Sequence, residues 1–307
     1  MRAVRFDHYG GIDVLEVREV ERPIPAPGEA LVHVRAAGIN PGEARIREGL
    51  LHDRFPATFP SGEGSDLAGV IAELGPEVGG WAVGDEVIGF SNRRSSHAEL
   101  VAVPADQLTR RPPEVPWEVA GALFVAGATA WAAARAVAPQ PAEAVAISAA
   151  AGGVGAIAVQ LARRSGATVI GLAGPANRAW LEGKGAIWVD YGGDGLAERL
   201  RAAAPNGRLD AFIDTFGGGY VELALELGVE PQRIDTIADF AAIERHGVKG
   251  EGSAAGSSAA VLAELASLLA AGELEIPIAA TYPLERVRDA YAELERRHTR
   301  GKIVLIP

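Results

Sequence analysis

The stretch that decides the fold is Ala144 to Arg163, which reads AVAISAAAGGVGAIAVQLAR. It begins with apolar residues typical of a buried strand, continues into a glycine-rich turn and ends in an apolar stripe at helical spacing. The residues of that stripe are Val154, Ile157, Ala158, Leu161 and Ala162. Because a strand, a tight turn and a helix in this order can bind phosphate, the stretch predicts the start of a dinucleotide-binding sheet.

The turn carries small residues where such a sheet needs them. Ala150, Gly152 and Gly155 occupy the places of the G-x-G-x-x-G spacing, which lets the backbone approach a pyrophosphate and lets the helix pack on the strand. The N-terminus of the helix adds unpaired N–H groups and a positive dipole end. We therefore predict cofactor contacts at Ala150, Gly152, Gly153, Val154 and Gly155.

The end of the next predicted strand indicates which nucleotide is bound. A site for NAD normally has Asp or Glu about twenty residues beyond the glycines, to hold the ribose 2′-hydroxyl. No acidic residue occurs between Ala156 and Leu181. Instead Asn177 and Arg178 follow the strand and could bind a 2′-phosphate through charge-assisted hydrogen bonds. The pattern favours NADPH over NADH, with a solvated helix position as the alternative interpretation of Arg178.

Composition excludes several classes of protein. The 307 residues are 48% apolar and 22% charged, which is ordinary for a folded protein and enough for two domains. A net charge of −11 makes nucleic acid an unfavourable partner. The absence of cysteine removes disulfides, thiol nucleophiles and thiolate zinc sites. No signal peptide or membrane helix is predicted, so a cytoplasmic location is the default.

Two patterns of secondary structure are predicted, one after the other along the chain. Residues 1 to about 115 contain short β segments separated by Gly, Pro and Asp turns, which predicts an irregular antiparallel barrel. Five apolar segments then alternate with helical patterns, which predicts a parallel sheet of βαβ units; they lie at 144–148, 168–172, 186–190, 210–214 and 233–237. A helix over Leu284 to Arg297 precedes the final segment GKIVLIP, a strand that could return to the barrel.

Six motifs carry a resemblance to a known family: AAGIN at 36–40, GSDLAGVI at 64–71, VGDEVIGF at 83–90, GATAW at 127–131, AAAGGVG at 149–155 and GKIVL at 301–305. In this order and spacing the chain resembles, over essentially its whole length, the zinc-independent quinone oxidoreductase branch of the medium-chain dehydrogenase/reductases. The resemblance implies an α/β protein in which a GroES-like irregular β-barrel precedes a Rossmann domain, a doubly wound parallel sheet. The predicted domains are 1–118 together with 274–307, and 119–273. The resemblance also implies an active site in the interdomain cleft and a homodimer.

Zinc-dependent members of the superfamily bind their catalytic metal through Cys, a His/Glu pair and another Cys. The matching positions in this chain are Asn40, Ser65 with Asp66, and Val125. The six histidines are scattered and form no close metal-binding pair. We therefore expect no metal.

The resemblance assigns further contacts to the cofactor. Asn40 and Thr129 would line the nicotinamide end, Tyr191 would approach the adenosine 2′-phosphate, and Phe216 and Ile237 would contact the dinucleotide. Each has a plainer interpretation: Asn40 or Thr129 could cap a turn or helix, and the other three could be ordinary packing.

These observations predict a reductase that passes hydride from NADPH to a quinone or an α,β-unsaturated carbonyl, with Asn40 or a backbone N–H stabilising the developing oxyanion. Enoyl thioester reductase is an alternative, but the segment from Asn40 to Gly62 lacks the tyrosine that could donate a proton. A low-turnover NADPH-binding redox sensor or structural protein is another. A hydrolase is disfavoured because no G-x-S-x-G elbow occurs.

Overall fold

The computed structural model describes all residues, 1–307. It contains fifteen strands and ten α-helices. The strands are β1 (Arg2–Phe6), β2 (Glu16–Glu19), β3 (Glu29–Gly38), β4 (Ser61–Gly62), β5 (Asp66–Leu74), β6 (Glu86–Phe90), β7 (Leu100–Pro104), β8 (Leu108–Arg110), β9 (Ala144–Ile147), β10 (Thr168–Leu172), β11 (Ile187–Val189), β12 (Ala211–Asp214), β13 (Ile234–Thr236), β14 (Ile278–Pro283) and β15 (Lys302–Ile306). The helices are α1 (Pro41–Arg47), α2 (Trp117–Gly121), α3 (Phe124–Val137), α4 (Gly153–Arg164), α5 (Arg178–Gly183), α6 (Leu196–Ala203), α7 (Tyr220–Glu226), α8 (Phe240–His246), α9 (Ala259–Ala270) and α10 (Val287–Glu295).

Contacts divide the chain into two units, which we call the barrel unit (Met1–Val125 with Ser258–Pro307) and the nucleotide unit (Ala126–Ser257). This division gives α9 to the barrel unit, because α9 packs against β6 and β8. The domains predicted from the sequence differ at both boundaries, because they give residues 119–125 and 258–273 to the nucleotide-binding domain. None of the helices combines the length and the apolar composition needed to span a membrane.

The barrel unit is built around the ten-residue strand β3, which pairs with β5, β7 and β15 and is buried along most of its length. The main sheet has the order β14-β15-β3-β5-β6-β8, and a smaller sheet has the order β2-β1-β4. Pairing is antiparallel except between β14 and β15. The prediction that the tail strand returns to the barrel is confirmed, since Val304 pairs with Gly38.

The nucleotide unit contains five parallel strands in the order β11-β10-β9-β12-β13. All five lie within the predicted apolar segments. From β9 the chain continues to β10 and β11 on one side of the sheet, and β12 and β13 lie on the other side. The position between β9 and β12 is therefore the topological switch point, and ligands of such sheets bind there, beyond the carboxyl ends of the strands. This is the Rossmann architecture predicted from the sequence.

One helix differs from the prediction in detail. The predicted helix over Leu284 to Arg297 is shorter, because residues 284–286 form a 3₁₀ turn and Arg297 adopts a left-handed conformation with φ of 56°. The small-residue segment at 250–260 leads into α9, whose first turn is capped by the Ser258 hydroxyl accepting from the Val261 N–H at 3.2 Å.

Candidate functional site

The turn between β9 and α4 leaves no room for larger side chains. A Cβ on Gly155 would lie 2.2 Å from the carbonyl oxygen of Ala149, and a Cβ on Gly152 would lie 3.2 Å from the same oxygen. Gly152 caps α4 without a side-chain hydrogen bond. The first N–H groups of the helix are therefore left for a ligand, as a phosphate-binding turn requires.

Small residues also let the turn before α4 pack closely against β10. Ala150 is fully buried and its N–H donates to the carbonyl of Leu172 in β10 at 3.0 Å. A Cβ on Gly171 would lie 3.0 Å from the Cβ of Ala150. Of the predicted helical stripe, Ile157 is fully buried whereas Val154 is only half-buried.

The residues predicted to bind a 2′-phosphate gather at the end of β10. The Arg178 guanidinium lies 5.2 Å from the centre of the Trp188 ring and forms an ion pair with Glu182 at 2.8 Å. The half-exposed Tyr191 ring borders Gly174, where an added Cβ would lie 3.7 Å from the phenol oxygen. Asn177 is half-buried in the short turn that precedes α5. A ligand phosphate that binds Arg178 would either displace the Glu182 carboxylate from the guanidinium or share the guanidinium with it.

The buried carboxylate of Asp214, which was not among the predicted site residues, connects the strand ends at the switch point. Asp214, at the end of β12, accepts from the Ser148 hydroxyl at 2.7 Å and from the Thr236 hydroxyl at 2.8 Å. The backbone N–H groups of Phe216 and Gly217 donate to the same carboxylate at 3.0 and 2.9 Å. Asp214 thus ties together the carboxyl ends of β9, β12 and β13.

The other predicted cofactor contacts of this unit have varied settings. Phe216 follows β12 with 47% of its surface exposed, its ring edge-on to Tyr220. Ile237 is half-buried, and its N–H donates to the Asp214 carbonyl at 3.0 Å. Thr129 is buried inside α3, so it does not cap that helix.

In the barrel unit, Asn40 lies at the N-terminus of α1 and is almost completely buried. Its amide nitrogen donates to Glu43 Oε1 and to Asp66 Oδ2, both at 3.2 Å. Its amide oxygen accepts from the Lys302 ammonium at 2.5 Å. Every hydrogen-bonding atom of the Asn40 amide therefore has a partner within the protein.

A larger group of buried charges surrounds this amide. Glu63 pairs with Arg47 at 2.7 Å, and the Tyr291 hydroxyl donates to Glu43 Oε2 at 3.0 Å. Burial raises the pKa of Glu43 and of Asp66, although the Lys302 ammonium lowers both. We call the five buried ionic groups the charge cluster: Arg47, Lys302, Glu43, Glu63 and Asp66.

His97 lies next to this cluster as a neutral group. Burial lowers the pKa of His97 to about 4. Its Nε2 lies 3.2 Å from the carbonyl oxygen of Gly38, which can only accept, so Nε2 carries the proton. The imidazole is therefore uncharged at neutral pH.

The charge cluster does not fit a catalytic zinc ion. Zinc in such sites takes Cys, His or carboxylate ligands, whereas the matching positions supply the amide of Asn40, the hydroxyl of Ser65, a single carboxylate from Asp66 and the aliphatic Val125. The Lys302 ammonium already contacts both Asn40 and Asp66. No group of three or more His, Cys, Asp and Glu side chains with metal-binding geometry occurs in residues 1–307.

A tyrosine reaches the segment that lacks one of its own. Tyr9 accepts a hydrogen bond from the Ala57 N–H at 2.9 Å, and its hydroxyl lies 2.7 Å from His52 Nδ1. Its ring packs edge-on against Phe59. No sequence pattern predicts this contact, because Tyr9 precedes the segment by about thirty residues.

Comparison with known proteins places the chain in a superfamily. Residues 26–116 match the alcohol dehydrogenase GroES-like domain, and residues 184–305 match the zinc-binding dehydrogenase domain. Together with the Rossmann sheet, these matches define a medium-chain dehydrogenase/reductase, and the GroES-like prediction is confirmed.

Within this superfamily the chain belongs to the quinone oxidoreductase family. It is 30% identical to a quinone oxidoreductase of Pseudomonas aeruginosa over 100% of this chain and 99% of the relative. The structure of the Coxiella burnetii quinone oxidoreductase matches with a TM-score of 0.90 and 29% identity, covering 100% and 99% of the two chains. The Escherichia coli quinone oxidoreductase complexed with NADPH matches with a TM-score of 0.87 and 28% identity, covering 100% of both.

Proposed function

We propose that this oxidoreductase uses NADPH, works without zinc and reduces a quinone or an α,β-unsaturated carbonyl. The observation that carries the choice of NADPH is the end of β10, where Tyr191 borders Gly174, Arg178 follows in the next helix and no carboxylate occurs between Ala156 and Leu181. The NADPH complex of the Escherichia coli relative supports the same choice.

The nucleotide unit would bind and orient the cofactor. The N–H groups at the start of α4 would hold the pyrophosphate, with contacts at Ala150, Gly152, Gly153, Val154 and Gly155. Asn177, Arg178 and Tyr191 would hold the 2′-phosphate, and Thr129, Phe216 and Ile237 would contact the rest of the dinucleotide. When bound, NADPH supplies the hydride, and a proton from water completes the reduction of the acceptor.

We keep Asn40 as the candidate donor to the acceptor oxygen, with a condition set by its surroundings. Both amide hydrogens are engaged, by Glu43 and by Asp66. One of them must turn toward the substrate before Asn40 can stabilise an oxyanion, which is an interaction typically worth about 3 kcal/mol. A backbone N–H is the alternative donor.

The test is NADPH oxidation by the purified protein with an ortho-quinone, a cyclic enone and an enoyl thioester in parallel, each repeated with NADH. Turnover of the quinone or enone with NADPH well above NADH supports the proposal. Preference for the thioester would move the protein to the enoyl reductases. Tight NADPH binding without turnover of any acceptor would favour the sensor or structural role.

Three further expectations accompany this proposal. The protein is expected to form a homodimer, which sedimentation velocity would measure directly. The cytoplasmic location and the placement of the reaction between the two units also stay predictions.

A further inference from the structure

The positions that match the metal ligands of zinc relatives are joined here by a lysine. The Lys302 ammonium, in β15, donates to Asn40 Oδ1 at 2.5 Å and to the Ile39 carbonyl and Asp66 Oδ2 at 3.1 Å each. An ammonium has three hydrogens, so all of them are used. Lys302 is 4% exposed and Asp66 is fully buried.

Asp66 also connects Val125, another of the matching positions. Its second oxygen, Oδ1, accepts from the backbone N–H of Val125 at 2.6 Å. Asn40, Asp66 and Val125 are therefore linked by hydrogen bonds to one carboxylate, and that carboxylate is neutralised by Lys302. The arrangement supplies from within the chain the positive charge that a metal ion supplies to its ligands.

We propose that Lys302 is a fixed internal cation at the metal-ligand positions and that it locks the Asn40 amide in one orientation. The amide oxygen must face the ammonium, which can only donate, and the amide nitrogen must then face Glu43 and Asp66. A flipped amide would set donors against the ammonium and an acceptor against two carboxylates. Lys302 is thus a positioning residue that acts through Asn40, and the catalytic part of this role rests on the proposed function.

The chain offers a direct probe of the lock. It contains four asparagines, of which only Asn40 is buried, whereas Asn177 is half-buried and Asn92 and Asn206 are exposed. Labelling asparagine side chains with ¹⁵N should show one slowly exchanging amide pair, and Asn40→Ala assigns that pair by removing it.

The decisive variant is the double substitution Lys302→Met with Asp66→Asn. Lys302→Met alone leaves a buried carboxylate without its cation and could unfold the barrel, so the second change removes that charge. We expect a melting temperature near that of the wild type, at least tenfold faster exchange of the Asn40 amide, a kcat for quinone at least tenfold lower and an NADPH affinity within twofold. Lys184→Met, one of the two other lysines, is the matched control and should change none of these.

The outcomes separate this proposal from the proposed function. Slow exchange of the Asn40 amide in the folded double variant would overturn the lock. Fast exchange with an unchanged kcat would overturn only its catalytic part and would show that Asn40 is not the donor to the acceptor oxygen. If the wild type oxidises NADPH with none of the acceptors, the proposed function fails, and amide exchange still decides whether Lys302 holds Asn40.

Discussion

The two units build their functional features from opposite materials. In the nucleotide unit, the turn before α4 consists of backbone and small side chains, and an added Cβ at Gly155 would strike a carbonyl oxygen. In the barrel unit, the Asn40 amide is surrounded by buried charges. A site made of backbone is sensitive to any added atom, whereas a charge cluster is sensitive to any lost partner. The predictions below test this contrast.

The largest effect is expected from adding one methyl group to the turn. Gly155→Ala places a Cβ 2.2 Å from the Ala149 carbonyl oxygen, so α4 must shift. We expect a stability loss of about 3 kcal/mol and NADPH binding weakened at least tenfold, measured by denaturant unfolding and calorimetry. Gly183→Ala, where nothing lies within 4 Å of the added atom, should leave both unchanged; equal effects would refute the steric argument.

The second-largest effect is expected from removing one hydrogen-bond acceptor at the switch point. Asp214→Asn leaves donors from Ser148, Thr236 and the following loop competing for one acceptor oxygen. We expect a loss of stability of about 2 to 3 kcal/mol together with weaker NADPH binding, because the Phe216 loop loosens. Asp210→Asn, before the other end of β12, should spare NADPH affinity. If both variants bind NADPH equally well, Asp214 does not organise the site.

The pH dependence of stability tests the buried surroundings of His97 in the barrel unit. The folded protein holds His97 neutral down to a pKa of about 4, against 6.5 for the free side chain. The stability from this neutral form is present above pH 6.5 and is lost as the pH falls toward 4, by about 2 kcal/mol between pH 7 and pH 5. His97→Gln should remove this loss from urea unfolding curves. His298→Gln, at an exposed histidine, should follow the wild type; a His97 variant that does the same would contradict the assignment.

The smallest effect is expected at the exposed 2′-phosphate contact. Arg178→Ala should weaken NADPH binding about tenfold, as one charge-assisted contact does, and leave NADH binding unchanged. Arg201→Ala removes an exposed arginine of the same unit from α6 and should change neither. Equal losses for NADPH and NADH would show that Arg178 does not read the phosphate.

The sequence predicted the nucleotide unit better than the barrel network for a physical reason. The strand, turn and helix of AVAISAAAGGVGAIAVQLAR are contiguous, so periodicity and glycine spacing suffice to predict them. The charge cluster joins Asn40, Asp66 and Lys302, which are separated by 26 and 236 residues, and only the return of β15 to β3 unites them.

Within the nucleotide unit, the missed residues had a visible but weaker signal. Asp214 is polar at the end of DAFID, after three apolar residues, and Ser148 is polar at the end of AVAIS. Two polar residues at the carboxyl ends of predicted parallel strands could have indicated a shared network at the switch point. The stacking of Arg178 over Trp188 has no such signal, since it depends on how α5 lies against β11.

We propose that the charge cluster takes the place of zinc in this oxidoreductase and that NADPH is its reductant. The most direct test measures NADPH oxidation with an ortho-quinone before and after exhaustive dialysis against a zinc chelator, with metal content determined in the same samples. We predict the same rate in both samples and far less than one zinc per chain. Loss of turnover on dialysis, restored by one equivalent of zinc, would show instead that the protein requires zinc.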